Sequence, residues 1–224
     1  MTPKRGAPVT ERGRQSRQRL LDAAEKVFGE KGYFASSVSD ITREAGVALG
    51  SFYIYFESKH AVFVEVLQTL ARVIRHTTRA AVEKSGNRIE GEEQGFAAFF
   101  SLIDSHPYLY RIVRQAEFVD PAAFRAYYAS IVGGYQKRLG AAMDRGEVRR
   151  LDPETLVYCL LGIGDLIGMR WPYWTGKPIP TDVFEAMMRF VRYGIDPHPE
   201  KPITQERGEK LRDNPNVEAA SLGG

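Results

Sequence analysis

Apolar residues recur at helical spacing along most of this chain, and no stretch shows the strict alternation of a half-buried strand. In "RQSRQRLLDAAEKVFGEKG", Leu20, Leu21, Ala24, Val27 and Phe28 form one stripe, which Gly32 ends. Ser36 and Ser37 supply N-cap chemistry for "VSDITREAG", whose Val38, Ile41 and Ala45 share a face and whose Gly46 stops it after about two turns. A short aromatic segment, "LGSFYIYF", follows; Ser58 then opens a long amphipathic pattern carrying Phe63, Val66, Leu67, Leu70, Val73 and Ile74. Further on, three helical faces are rich in aromatics. Phe96, Phe99, Phe100 and Ile103 mark the first, Tyr108, Tyr110, Ile112 and Phe118 the second, and Phe124, Tyr127, Tyr128, Ile131 and Tyr135 the third. "DPETLVYCLLGIGDLIGMRWPYW" is apolar almost all round, which predicts burial on more than one side. "TDVFEAMMRFVRYG" returns to one face with Val183, Phe184, Met187, Met188 and Val191. The pattern predicts an all-α fold.

The 224 residues, 43% of them hydrophobic, suffice for a substantial core in one or two domains. The net charge is only +3, so its placement matters more than its size. Lys4, Arg5, Arg12, Arg14, Arg17 and Arg19 face Glu11 alone, and glycine and proline interrupt the segment, which predicts a flexible basic arm over 1–19. From the arm alone, a solvated tail and a nucleic-acid contact fit equally well. No apolar leader precedes it and no later run reaches membrane-span length, so a cytoplasmic protein without a membrane role is expected. The single cysteine, Cys159, excludes an internal disulfide and argues against a cysteine metal site. His60, His76, His106 and His198 lack the spacing of a zinc motif, and no nucleophile elbow occurs. In "GIGDLIG" the third glycine comes one position late for a dinucleotide loop, and no strand-helix units surround it. No enzyme activity, cofactor or metal is expected. Past Asp196 the chain turns to proline and charge, predicting disorder over 196–224.

Two short helices joined by a glycine-containing turn describe a helix-turn-helix. A recognition helix entering the major groove needs small or polar outward residues near its N-terminus and inward anchors. Gly50 and Ser51 meet the first demand, and Phe52 and Phe56 the second. Tyr53 and Tyr55 lie off the inward face, where phenols can donate to phosphate oxygens, and Lys59 adds a cation in the first turn of the long helix. The competing reading is a three-helix subdomain without a ligand. Residues 20–67, with "GYFASSVSDITREAGVALGSFYIYFESKHAVFVEVL", closely resemble the DNA-binding domain of the tetracycline-repressor-like (TetR) regulators. Three positions depart from that family's pattern: Thr42 stands for alanine, Ala48 for serine and His60 for glutamate. The resemblance implies DNA contacts at Ser37, Ser39, Leu49, Gly50, Ser51, Tyr53, Tyr55 and Lys59, while Ala48 lacks the hydroxyl that the family pattern has there for a cap or phosphate contact.

On this reading, 20–62 form the helix-turn-helix domain and 63–195 a helical domain for effector binding and dimerisation. The second domain resembles the family only in architecture. Aromatic stripes there serve either plain core or a pocket for a hydrophobic effector; the pocket reading selects Phe99, Ile103, Tyr110, Arg111, Arg114, Phe118, Tyr127 and Trp171, the arginines neutralising an acidic headgroup. "HPYLYRIVRQAEFVDP" with "GIGDLIGMRWPYW" is similar to the subset of the family that responds to acyl-CoA thioesters. One short motif cannot span two half-sites roughly 34–36 Å apart, so a homodimer is expected on a near-palindromic double-stranded operator. Gly164, Gly168, Met187 and Val191 are the expected interface, with packing inside one chain as the competing assignment. The functional expectation is a ligand-responsive repressor. Its alternative is a helical small-molecule binding protein or enzyme that does not bind DNA.

Overall fold

The computed structural model describes residues 10–197, and every regular element among them is helical. Helix α1 (Glu11–Lys31), α2 (Val38–Ala45), α3 (Leu49–Tyr55) and the first turns of α4 (Lys59–Val82) make the amino-terminal unit. Helices α5 (Arg88–Ser105), α6 (Leu109–Val119), α7 (Pro121–Asp144), α8 (Pro153–Gly168) and α9 (Thr181–Ile195) complete the fold with the remainder of α4. A π-helical turn, Met169–Tyr173, follows α8 directly; Pro172 within it has no N–H to donate.

The caps lie where local chemistry puts them. Gly32, at φ 83°, ends α1, and Gly46 ends α2 in the left-handed region at φ 63°. Ser37 caps α2 in a reciprocal box with Asp40, and Ser58 caps α4 by accepting the Ala61 N–H at 3.1 Å. Asp120 caps α7 through the N–H groups of Ala122 and Ala123, just ahead of Pro121 in its first turn.

The expectation of an arm over 1–19 fails for 11–19, which are helical. Residues 1–9 lie outside the described residues, but 11–19 are the first turns of α1. Thr10 accepts the Gly13 N–H at 3.1 Å, Glu11 pairs with Arg14, and Arg17 reaches Glu65 on α4 while lying over the Phe56 ring. These contacts extend the helix through a glycine that sequence reading takes as an interruption. The expected disorder of 196–224 falls, apart from 196 and 197, on residues outside those described.

Leu20, Phe28, Ile41, Phe52, Phe63 and Leu67 are fully buried in a first core, which continues into Ile112 and Ala116 of α6 and Tyr127 of α7. Burying each large side chain contributes about 1.5–3 kcal/mol, so truncating Phe28 to alanine is expected to cost about 3–5 kcal/mol. Position 62 therefore marks a change of role along α4 and no gap in the packing. A second core joins Phe96, Phe100, Leu139, Val157, Leu160 and Ile195 from α5, α7, α8 and α9.

The expected interface residues Gly164, Gly168, Met187 and Val191 belong to that internal packing. A Cβ on Gly168 would overlap the Tyr110 hydroxyl and lie 2.7 Å from Ile103 Cδ1, and one on Gly164 would lie 3.1 Å from the Phe96 ring. Met187 and Val191 are 7% and 2% exposed. The small residues let α8 approach α5 and α6 of its own chain, so packing inside one chain is what these positions do.

Candidate DNA-binding surface and effector cavity

The outer surface of α2 and α3 is built from short helices whose anchors are fully engaged. Phe52 is completely buried and stacks with Phe56, its ring centroid 5.5 Å away, which fixes the rotation of α3. That rotation exposes Leu49, Gly50 and Tyr53 and leaves Ser51 and Tyr55 half-buried. A Cβ on Gly50 would meet nothing within 4 Å, so this part of the backbone is open to a partner. Ser37 and Ser39 are exposed on α2 beside it, although the Ser37 hydroxyl is already engaged as the cap. Asp40 accepts from Ser37 and from the Lys31 ammonium, and these bonds hold its carboxyl well below the usual range. Thr42 is buried with its hydroxyl on the Ser39 carbonyl, and Ala48 caps α3 without a side-chain bond. Sequence reasoning overlooked Ile54, which is 65% exposed on α3 and signalled by nothing except its place outside the Phe52 face.

Lys59 occupies a different place from its expected one. Its Nζ donates to the carbonyls of Tyr33 and Ser36, each at 2.7 Å, and lies 4.3 Å from the Tyr33 ring centroid. Burial lowers its pKa. The ammonium clamps the loop between α1 and α2, so two of its three donors face inward.

In the carboxy-terminal part, α4, α5, α6, α7 and α8 surround a cavity of about 140 Å³. Of the expected lining, Phe99, Tyr110, Arg114 and Tyr127 are present; Ile103, Arg111, Phe118 and Trp171 are absent. Ile103 is buried in the second core against Gly168. Arg111 is exposed, and Phe118 is 78% exposed outside the cavity lining. Trp171 lies in the π-helical turn under the Arg170 guanidinium. The helical period decides these outcomes: residues 110, 113, 114 and 117 share the inner face of α6, and 111 and 118 do not.

The cavity wall also holds polar groups that composition did not reveal. Arg88 and Glu92, one turn apart on α5, form an ion pair with side chains only 6% and 3% exposed, and Tyr135 from α7 donates its hydroxyl to the same carboxylate. Tyr110 donates to the Asp165 carbonyl at 2.9 Å. Burial raises the Asp165 carboxyl, the nearby Arg114 charge opposing it, and pushes the Tyr128 phenol up to about 12. Tyr110, Tyr127 and Tyr135 are raised too, first by burial, so these phenols remain neutral donors.

Surface and cavity meet at α6 and at the start of α7. While Tyr110, Val113, Arg114 and Glu117 face the cavity, Gln115 accepts the Tyr33 N–H at 2.6 Å and Tyr108 donates to Glu30 at 2.9 Å. Tyr108 lies so close over Gly29 that any side chain there would overlap its ring. His60, one residue past Lys59, lies 3.0 Å from the Asp120 carboxylate that caps α7. The histidine that departs from the family pattern thus joins the base of α4 to a cavity helix.

Residues 20–66 match the family model of bacterial regulatory proteins of the tetR family. The HTH-type transcriptional regulator YdgC of Bacillus subtilis is 27% identical over 191 residues, covering 83% of this chain and 95% of that protein. Among solved structures, the fatty acid degradation regulator FadR of Bacillus halodurans superposes with a TM-score of 0.70 at 21% identity, over 83% of this chain and 96% of that one. FadR of Bacillus subtilis, solved in complex with stearoyl-CoA, gives a TM-score of 0.68 at 20% identity, over 78% of this chain and 96% of its own. At these identities the two structures establish the shared fold.

Proposed function

We propose that this chain, whose residues 20–66 match the tetR family of bacterial regulatory proteins, is a transcription regulator that represses by holding operator DNA as a homodimer and lets go when a compact hydrophobic effector enters the cavity. The observation that carries this reading is the double attachment of α6. One face lines the cavity through Tyr110 and Val113, while Gln115 holds the loop ahead of α2 and Tyr108 holds Glu30 at the end of α1. A ligand that shifts α6 must move that loop, and with it the orientation of α2 and α3. Near-complete reversal of a two-state population needs about 5.5 kcal/mol of differential affinity between the two states, so tight binding alone does not suffice.

DNA contact is assigned to Ser39, Leu49, Gly50, Ser51, Tyr53 and Tyr55, with Ser37 contributing as cap and Lys59 as the loop clamp. A second copy is assigned to the apolar face that α8 and α9 leave uncovered. Tyr158, Cys159 and Leu166 of α8 and Phe190 of α9 are exposed, Leu166 by 60% and Phe190 by 71%. The effector class follows from size. An apolar cavity of roughly 150 Å³ admits a ligand the size of benzene, so this one favours a short acyl or aromatic body over a long chain.

Selection from a random duplex library with the full chain, followed by binding titrations at several salt concentrations, tests the reading. Enriched sequences should contain two inverted half-sites, bound by a dimer, with affinity falling steeply as salt rises. No enrichment, or a salt-independent signal, would leave a helical ligand-binding protein without a DNA target.

A further inference from the structure

The cavity contains more positive charge than its own chain neutralises. Arg88 and Arg138 both line it, on α5 and α7, and Glu92 is the carboxylate beside them. Glu92 is already engaged on both oxygens, by Arg88 Nη2 and by the Tyr135 hydroxyl. The Nε–H groups of Arg88 and Arg138 are buried and have no hydrogen-bond partner. Arg88 is more than nine-tenths buried. Burial and the charges of Arg88 and Arg79 make the protonated Arg138 less favourable than in water, as expected for a cation short of a counter-charge. A buried guanidinium donor without an acceptor is costly to the fold, and such groups persist where a ligand completes them.

We propose that the effector is an acid: a compact apolar body lying among Phe96, Phe99, Tyr127 and Leu160, whose carboxylate or similar small anion accepts from the Arg88 and Arg138 Nε–H groups. The proposal rests on the effector reading above and narrows it. The apolar walls exclude a small inorganic anion as the whole ligand, since it would bury without partners on those sides. A thioester offers no charge at this end of the cavity, so the free acid is selected over its coenzyme A ester.

Calorimetric titration of the full chain with benzoate, benzyl alcohol and benzoyl-CoA, whose ring matches the cavity volume, tests the assignment. The acid should bind at least about tenfold more tightly than the alcohol, the usual weight of one or two hydrogen bonds to a charged group. Arg138→Met, which keeps an apolar stem, should bring acid and alcohol to similar affinity. Arg138→Lys keeps the charge without the Nε fork and should retain part of the preference, which separates loss of the cation from loss of the fold. Alcohol binding as tightly as the acid, a preference that survives Arg138→Met, binding of the thioester alone, or binding of none of the three would each overturn the proposal. Operator binding by the same preparations is read separately. An acid that binds a protein with no DNA target leaves this inference standing and removes the repressor reading, whereas operator release by the thioester alone does the reverse.

Discussion

Replacing Lys59 with methionine keeps an apolar stem of similar length and deletes the ammonium. Two carbonyls, those of Tyr33 and Ser36, lose donors at 2.7 Å, and the Tyr33 ring loses a cation 4.3 Å from its centroid. Hydrogen bonds from a charged donor contribute about 1.5–3 kcal/mol each, and a cation over a ring about 0.5–2 kcal/mol. Desolvation of the ammonium opposes these gains, as its lowered pKa indicates, so a net loss of about 3 kcal/mol is expected. Urea unfolding of Lys59→Met against the parent chain measures that loss as a lower midpoint with an unchanged slope. Operator titrations over a salt series complete the assay. Affinity should fall because the loop carrying Ser36 and Ser37 loosens, while the logarithmic salt slope stays where it was. If stability is unchanged and the slope drops by about 0.9, the equivalent of one phosphate contact, the ammonium reaches DNA instead of the loop and the clamp is wrong.

Four further outcomes are expected. Ala48→Ser should supply the side-chain cap that α3 lacks and raise stability by about 1 kcal/mol in the same urea assay; no gain would mean that the first N–H groups of α3 are already satisfied. Because the Asp40 carboxyl titrates lower in the folded protein than its ordinary 3.8, its contribution is complete above that value and lost as pH falls through the folded one; Asp40→Asn should therefore flatten the acid limb of stability against pH, and an unaltered limb would exclude this carboxylate as its source. Gln115→Leu should strip the Tyr33 N–H of its acceptor at a cost of about 1–3 kcal/mol and reduce the effector-dependent change in operator affinity, whereas undiminished release would place the coupling elsewhere. Leu166→Arg should shift sedimentation toward the monomer with the fold intact, while Gly168→Leu should lower the unfolding midpoint by collision with Tyr110 and Ile103; the opposite pairing of results would return the interface to the glycine face of α8.

Much of the DNA-binding unit is legible in the sequence because its determinants act over four residues or fewer. Gly32 and Gly46 stop helices through their own backbone freedom, Ser37 and Ser58 cap through bonds to N–H groups three residues on, and the Phe52–Phe56 pair turns α3 by its spacing. The aromatic helices of the second part are legible for the same reason, and so are Phe99, Tyr110 and Tyr127 as inward residues. What lies between elements is not written locally. Lys59 reads as a free cation until the loop ending at Ser36 folds back over it, and residues 11–19 read as part of an arm until Glu65 and Phe56 give Arg17 a place to dock. Nothing local marks Arg88 and Glu92, one turn apart, as a buried pair; Tyr135, 43 positions after Glu92, closes over them in the cavity wall. On α8, apolar nearly all round, Gly164 and Leu166 are alike in hydropathy pattern. The approach of Phe96 and Tyr110 decides which side is internal and leaves Leu166 in water, because a helix surface acquires an inside only when another surface meets it.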